Sequence, residues 1–268
     1  LFIDAEHDDA QLAALRRELD ALKPKVARWL IYPRVEQQHA APPIPQLVDA
    51  ARRALASYNR KIIFVAGTDA DFIFANKQAK AYRGMDAFCM PTNPQTHAFD
   101  NASLVQALAA QGVLVKSAAK LAKGKPVILS PVTLKPRWNP YSTAGATKGE
   151  PPIDSRHSTL FGAAWTLGSI KYLAEAGALS ATYFETIGAR GVMGRDVFPG
   201  WHVLADIGEY AGGEVLASTS SEPLWVDGLV LRKGNRIRVL LANFTDQPRV
   251  VALRGLPGKA TVKWLDVN

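Results

Sequence analysis

Apolar residues follow two alternating rhythms along this chain. Short, nearly continuous apolar runs occur at 1–4, 26–32, 62–66, 86–90, 126–131 and 181–185. They read as strands buried on both faces. Between them, apolar positions return every three or four residues, as on one face of a helix. Leu12, Leu15, Leu19 and Leu22 are such a series, with Asp8 and Asp9 as N-cap and acidic first turn and Pro24 as the stop. Leu47, Val48, Ala51 and Leu55 are another, in a helix expected over 47–58. Further helices are expected from Asn101 or Ser103, over 159–176 and over 201–210.

Strands alternating with helices at this spacing predict βαβ units and a parallel sheet. Six strands at near-equal intervals favour a barrel over a doubly wound sheet. No strand is followed by Gly-x-Gly-x-x-Gly, which weakens a dinucleotide fold. The expected fold is therefore α/β, a (β/α)8 TIM-type barrel that is N-terminally incomplete, with about six βα units. Residues 1–4 read as the second half of a buried strand and the first residue is Leu1, so the chain is expected to begin inside a longer protein.

The rhythm changes after Gly213. Segments 214–219, 224–231, 236–244, 249–253 and 261–265 alternate with turns such as Lys233-Gly234-Asn235 and Pro257-Gly258. These are hairpin signals. The expected organisation is a catalytic barrel domain over 1–213 and a small all-β, sandwich-like domain over 214–268.

Composition narrows the partners. The chain has 268 residues, 48% hydrophobic and 21% charged, an ordinary globular balance. The net charge is +8, which suits anionic sugars or acids. Lys116, Lys120, Lys123 and Lys125, and Arg232, Lys233, Arg236 and Arg238, read as solvated faces. No aromatic residues interleave them into a stacking platform, so no nucleic-acid partner is expected. No uninterrupted apolar run reaches the ~18 residues of a membrane span, so no membrane partner is expected either. Cys89 is the only cysteine, which excludes an internal disulfide, and it reads as a small core side chain. Nothing in the cysteine usage signals an oxidising compartment, and the expectation is cytoplasmic. An open barrel would leave two edge strands, so self-association through that edge is a further expectation.

Every predicted strand exit carries polar residues, and in a barrel such exits ring one mouth. They are Arg34 and Glu36, then Asp69 and Asp71, then Asn93, His97 and Asp100, then Ser130, Thr133, Lys135 and Arg137, and finally Glu185 and Arg190. Glu185 suits a nucleophile, a general acid/base or a ligand for substrate hydroxyls; alternatively it bonds a loop amide or Arg190. His97 suits a general base or an oxyanion donor, or else caps the next helix. Asp69, Asp71 and Asp100 stand where turns and helix starts also favour aspartate. Lys135 and Arg137 flank Pro136 in a long loop of the kind that forms binding walls, and Trp138 could stack on a sugar. His7, His39, His97, His157 and His202 form no His-Glu-x-x-His motif, so neither a metal nor another cofactor is expected. There is no Gly-x-Ser-x-Gly elbow and no P-loop.

Four strings are similar to the D-apionate lactonase family. They are Asn93-Pro94-Gln95-Thr96-His97-Ala98-Phe99-Asp100-Asn101-Ala102-Ser103-Leu104, Ser130-Pro131-Val132-Thr133-Leu134-Lys135-Pro136-Arg137, the stretch from Tyr183 through Glu185 and Arg190 to Met193, and Trp201-His202-Val203-Leu204-Ala205-Asp206. The resemblance implies a glycosidase-like barrel with a β-sandwich beside it, opening a sugar-acid lactone. It makes the first strand here the third of the barrel and 181–185 the eighth. Related retaining glycosidases carry Asn-Glu after the fourth strand and Glu after the seventh. Those places here read Tyr32-Pro33-Arg34 and Ser130-Pro131-Val132, which argues against retaining glycoside hydrolysis.

The expected function is hydrolysis of a sugar-derived lactone such as D-apionolactone, with a small sugar or sugar acid as ligand. His97 or Glu185 would activate water and Lys135 or Arg137 would stabilise the oxyanion. Asp71 and Asn93 would hold hydroxyls, with Asp100 and Arg190 also lining the substrate site. The rivals are a glycoside hydrolase pairing Glu185 with Glu36, Asp71 or Asp100, and a non-catalytic carbohydrate-binding barrel.

Overall fold

The computed structural model describes residues 1–4, 7–33, 45–137, 152–256 and 258–266. The chain divides into two compact units. The first comprises Leu1–Asn93, Val113–Pro152 and Ala176–Tyr183. The second comprises Pro94–Gly112, Ile153–Glu175 and Phe184–Asn268.

The first unit holds one parallel sheet of six strands: β1 (Phe2–Ile3), β2 (Arg28–Pro33), β3 (Ile63–Gly67), β4 (Ala87–Thr92), β5 (Val127–Val132) and β6 (Ser180–Tyr183). Their order in space is their order in the chain. Every neighbouring pair is parallel. That is the winding of a (β/α) barrel, not of a doubly wound sheet, whose order reverses. The curvature agrees. Arg28 on β2 hydrogen-bonds the Ser180 hydroxyl on β6, four strands away. Strands lie ~4.8 Å apart, so a flat sheet would separate these residues by about 19 Å. The sheet must curl for the two side chains to meet across its concave face.

Val65, Ala87, Cys89 and Ile128 form a buried cluster with Leu30 and Ile63 against it. Phe64, Phe88 and Leu129 alternate with them in the strands and are buried too, so these strands are covered on both faces. Gly67 is required where it stands. A Cβ there would lie 1.7 Å from the Cys89 carbonyl oxygen.

The first unit's helices are α1 (Asp8–Leu22), α2 (Pro45–Leu55) and α3 (Phe72–Lys77), and α4 (Asn101–Leu121) runs through both units. Three sequence expectations need correction. The N-cap of α1 is His7, without a side-chain cap bond, while Asp8 and Asp9 lie in the first turn, where carboxylates favour the helix dipole. Helix α2 stops at Leu55, short of the expected 58. Helix α3 was not expected, because six residues are too few to show a period. By length and composition alone, α4 is long and apolar enough to cross a membrane, although no uninterrupted apolar run signals it. Its Leu104, Leu108, Val115 and Ala118 are buried.

The second unit carries α5 (Leu160–Glu175), a two-stranded ladder of β7 (Glu185–Ile187) and β8 (Gly191–Met193), α6 (Pro199–Gly208), and an antiparallel sheet of β9 (Glu214–Leu216), β10 (Val226–Lys233) and β11 (Arg236–Asn243). Five C-terminal strands were expected. Residues 249–253 and 261–265 are not strands, and Trp264 is 87% exposed. Alternation records which side chains share a face, but a strand also needs a partner edge, which alternation does not supply.

Charge fastens α5 to the C-terminal sheet. Lys171, 3% exposed, donates to both Glu175 oxygens at 3.0 Å and to the Ser218 carbonyl at 2.9 Å. It lies 3.8 Å from Asp227 Oδ1, while Tyr172 Oη donates to Asp227 Oδ2 at 2.9 Å. Gly168 permits the close approach, since a Cβ there would lie 2.7 Å from Leu108 Cδ1 and 3.1 Å from Phe244 Cζ. Elsewhere on the same sheet, Arg238 pairs with Asp206 at 2.8 Å and Glu209 at 2.6 Å. Arg232 pairs with Glu214. Part of the second basic cluster is thus engaged in ion pairs.

Candidate active site at the C-terminal edge of the parallel sheet

All six strands of the sheet point the same way, so their C-terminal ends share one edge. The polar residues of the first unit collect there. Tyr32 is the penultimate residue of β2, and its hydroxyl donates to Cys89 Sγ at 3.4 Å. The pair skips one strand. Gly67, the residue of β3 between them in register, has no side chain to block the tyrosine. Burial pushes the Cys89 thiol up to about 12, so it is an inert acceptor. Burial also holds the Tyr32 hydroxyl well above the ordinary phenol range. Cys89 and the Asp69 carboxylate push it further, and the Arg137 guanidinium pulls it back. Tyr32 therefore stays a hydroxyl donor, with Asp69 and Arg137 both in electrostatic reach.

The loop after β3 is built residue by residue. Thr68 N donates to the Cys89 carbonyl at 3.0 Å and carries the β3–β4 pairing one step past β3. Thr68 Oγ1 accepts from Ala70 N at 3.0 Å, which forms the turn. Asp71 Oδ1 accepts from Phe74 N at 2.7 Å, which caps α3. Asp69 lies between these two and is 7% exposed. Burial, and then the Asp69 carboxylate, raise the Tyr82 hydroxyl well above the phenol range, against the Thr68 hydroxyl. The Tyr82 oxygen is buried and makes no hydrogen bond of normal geometry among the described residues.

Asn93 follows β4, and Thr133, Lys135 and Arg137 follow β5. Thr133 N bonds the Thr92 carbonyl at 3.1 Å and Thr133 Oγ1 the Lys135 carbonyl at 2.7 Å, which sets the start of that loop. Lys135 is half-buried and Arg137 exposed.

The other expected site residues belong to the second unit. His97 is exposed and makes no side-chain hydrogen bond among the described residues. Asp100, not His97, caps α4, accepting from Ser103 N at 2.9 Å and Ser103 Oγ at 2.7 Å. These bonds hold the Asp100 carboxyl below its ordinary value. The predicted strand at 181–185 ends early, at Tyr183. Phe184 takes a left-handed φ of 48°, rare for an aromatic residue, and its ring meets His157 edge-on at 4.2 Å. Glu185 thus begins β7 and is not the end of a sheet strand. Its Oε1 accepts from Arg190 Nε at 2.7 Å, the pairing weighed as the alternative to function. Arg34, Glu36, His39 and Trp138 lie outside the described residues.

Sequence reasoning did not single out Tyr32, Tyr82, Gln95 or Asp154. Asp154 is buried and accepts from Arg156 Nε and Nη2 and from Gln95 Nε2. The Arg156 bonds, and then Gln95, hold its carboxyl far below the usual aspartate range. Tyr32 carried a usable signal, a hydroxyl near the end of a strand that is apolar from Trp29 onward. Among the described residues, no group of three or more His, Cys, Asp or Glu side chains is placed to hold a metal. Among the described residues, one surface depression is lined by residues that include Glu214 and Arg232, and another by residues that include Lys23 and Tyr58.

Parallel strands in chain order, curled, with a polar C-terminal edge, define a TIM-barrel protein. The D-apionate lactonase TIM barrel domain matches residues 1–212, and the chain belongs to that family. Among solved structures, a family 39 glycoside hydrolase from Bacteroides cellulosilyticus WH2 aligns with a TM-score of 0.53 at 10% identity, over 87% of this chain and 50% of that one. An α-L-arabinofuranosidase from Thermotoga maritima aligns at 0.48 and 11%, over 74% and 42%. The chain spans half or less of these structures, and at such identity the likeness of the first shows the fold alone. No curated protein matches the sequence.

Proposed function

We propose that this chain is a hydrolase that opens a sugar-derived lactone, with D-apionolactone giving D-apionate as the leading candidate reaction. The observation that carries the reading is the C-terminal edge of the sheet, where Thr68 and Asp69 are buried and Asn93, Lys135 and Arg137 follow the next strands. Lactone opening needs a base for water and a cation or donor for the tetrahedral oxyanion. Lys135 or Arg137 would meet the oxyanion, and Asn93 would hold a ring hydroxyl. His97 and Glu185 remain rival bases to any carboxylate at this edge.

Glycoside hydrolysis needs two carboxylates flanking one bond. The described loops after β3 to β6 carry Asp69, Asp71, Asp100, Asp154 and Glu185; Asp71 and Asp100 cap helices, Asp154 is held by Arg156 and Gln95, and Glu185 pairs with Arg190. This favours acyl chemistry over glycosidic cleavage.

The test is a direct assay of the full chain. Proton release would be followed with D-apionolactone and D-ribono-1,4-lactone, and reducing-sugar release with p-nitrophenyl arabinofuranoside and xyloside. Acid from a lactone with no sugar released is the expected result. Sugar release alone makes the protein a glycosidase. Calorimetric sugar binding without either turnover makes it a binding barrel.

A further inference from the structure

We propose that Asp154 and Arg156 are positioning residues that hold His97 as the general base for lactone opening. The proposal deepens the lactone reading above and rests on it. Its ground is the grip of one ion pair on one loop, with all the residues concerned in the second unit.

Asp154 and Arg156 form a two-point pair, with Nε to Oδ1 at 2.8 Å and Nη2 to Oδ2 at 2.7 Å. The pair holds the loop before α4 at two places. Gln95, 2% exposed, donates from Nε2 to Asp154 Oδ2 at 2.5 Å. Arg156 Nη1 donates to the Phe99 carbonyl at 2.7 Å and to Asn101 Oδ1 at 3.1 Å. His97 stands midway between residues 95 and 99.

The start of α4 does not account for this clamp. Asp100 caps that helix by accepting from Ser103 N and Ser103 Oγ. A simple connector does not call for a buried carboxylate and guanidinium either, because burying charge is costly and is weak evidence of stability. What the clamp fixes is the span 96–98. Within it, His97 is exposed and makes no side-chain hydrogen bond among the described residues. An accessible imidazole on a pinned backbone has what a general base needs: reach to a water, an acceptor nitrogen not engaged by a protein donor, and a fixed approach. Glu185, its rival, has Oε1 engaged by Arg190. The loop also follows β4, and the loops after the strands are where a parallel barrel carries its chemistry.

The step balances. The neutral His97 ring takes a proton from water as the water oxygen bonds the acyl carbon, and the carbonyl electron pair moves onto its oxygen. The oxyanion collapses, the ring C–O bond of the lactone breaks, and the leaving alkoxide takes the proton back from the imidazolium. The product is the hydroxy acid, which releases its own proton to solvent.

The experiment compares the full wild-type chain with H97A, R156K and the double variant on D-apionolactone and D-ribono-1,4-lactone, with near-ultraviolet circular dichroism as the check on folding. R156K keeps a cation for Asp154, but one ammonium nitrogen replaces the three guanidinium nitrogens that hold Asp154, Phe99 and Asn101. H97A is expected to lower kcat ~100-fold or more with KM within about threefold, and added imidazole to restore about tenfold or more. R156K is expected to lower kcat about tenfold or more with KM little changed, the effect of a misplaced base. In the H97A chain, R156K should change the residual rate by less than about twofold, since nothing is left to position.

A folded H97A within about fivefold of wild type overturns the proposal, as does H97A without imidazole rescue. An unfolded H97A overturns it too, because His97 would then be structural. R156K with unchanged kcat, or with an equal loss in the presence and absence of His97, removes the positioning role. If R156K does not fold, Q95A, which removes one grip and leaves the Asp154–Arg156 pair, is read by the same criteria. A wild-type chain inactive on both lactones sinks the lactone reading and this proposal with it; an active wild type with an active H97A sinks only the assignment of His97.

Discussion

Asp69 and Glu185 hold matching places in the primary structure and contrasting ones in the fold. Each follows a short apolar run and opens a polar loop. Asp69 is 7% exposed, and its charge acts on the buried Tyr32 and Tyr82 hydroxyls. The Glu185 side chain is 52% exposed and paired with Arg190. The backbone makes the difference. Past the end of β3, Thr68 still bonds β4, which holds the next residue against the sheet. Past the end of β6, Phe184 turns left-handed and leads Glu185 into a separate two-stranded ladder. A strand ending on a carboxylate is thus a weak functional signal by itself. What counts is whether pairing continues long enough to bury it.

The second unit supplies the control for that comparison, because its buried carboxylates, Asp227 and Asp154, have evident structural work. Asp227 and Glu175 surround Lys171, and Asp154 is held by Arg156 and Gln95. The largest stability effect is expected there. Lys171→Met leaves Glu175 and Asp227 without their buried cation and should cost about 3–5 kcal/mol in urea unfolding. A loss under about 1 kcal/mol would mean that burial alone does not mark structural charge in this protein.

Asp154 tests the same point through pH. Its carboxyl is held below the ordinary aspartate value of 3.8 by Arg156. Such a group contributes stability that is complete above the unfolded value and is lost as pH falls through the folded one. Wild type should therefore lose stability as pH drops below about 4, and Asp154→Asn should flatten that part of the profile. Thermal melts across the acid range read this directly, and identical profiles for the two proteins would remove Asp154 from the structural class.

Smaller effects are expected at the cap and at the surface. Asp71→Ala removes the α3 cap and should cost ~1 kcal/mol in urea unfolding. An unchanged midpoint would release Asp71 from its cap and return it to the substrate site. Glu185→Gln breaks an exposed pair and should change stability by about 0–1 kcal/mol. Should Glu185→Gln abolish lactone opening in a folded chain, exposure does not exclude a functional carboxylate, and the contrast drawn from burial fails.

Much of the fold is legible in the order of residues. The six apolar runs are six strands in chain order; β3 and β4 are apolar because neighbours cover both faces, whereas β6 has no buried residue and β1 exposes Phe2. Helix α3 is hidden by its length, and the β7–β8 ladder by having only three residues a strand. The site is less legible. Asp69 and Asp71 are two residues apart and both sit where turns favour aspartate, so composition does not separate them. Only the bond from Phe74 N identifies Asp71 as the cap. Tyr82 lies outside every predicted element and is buried only by folding.

Sequence alone therefore determined the class of this protein: alternating strands and helices, an apolar parallel sheet and polar strand exits. Those follow from periodicity and from solvent exclusion, which act residue by residue. Tertiary structure decided which exits matter. Burial, the curl that brings Arg28 to Ser180, and the neighbours that shift a proton affinity depend on residues far apart in the chain. No local pattern carries that information, because side chains acquire their electrostatic surroundings only when the sheet is assembled.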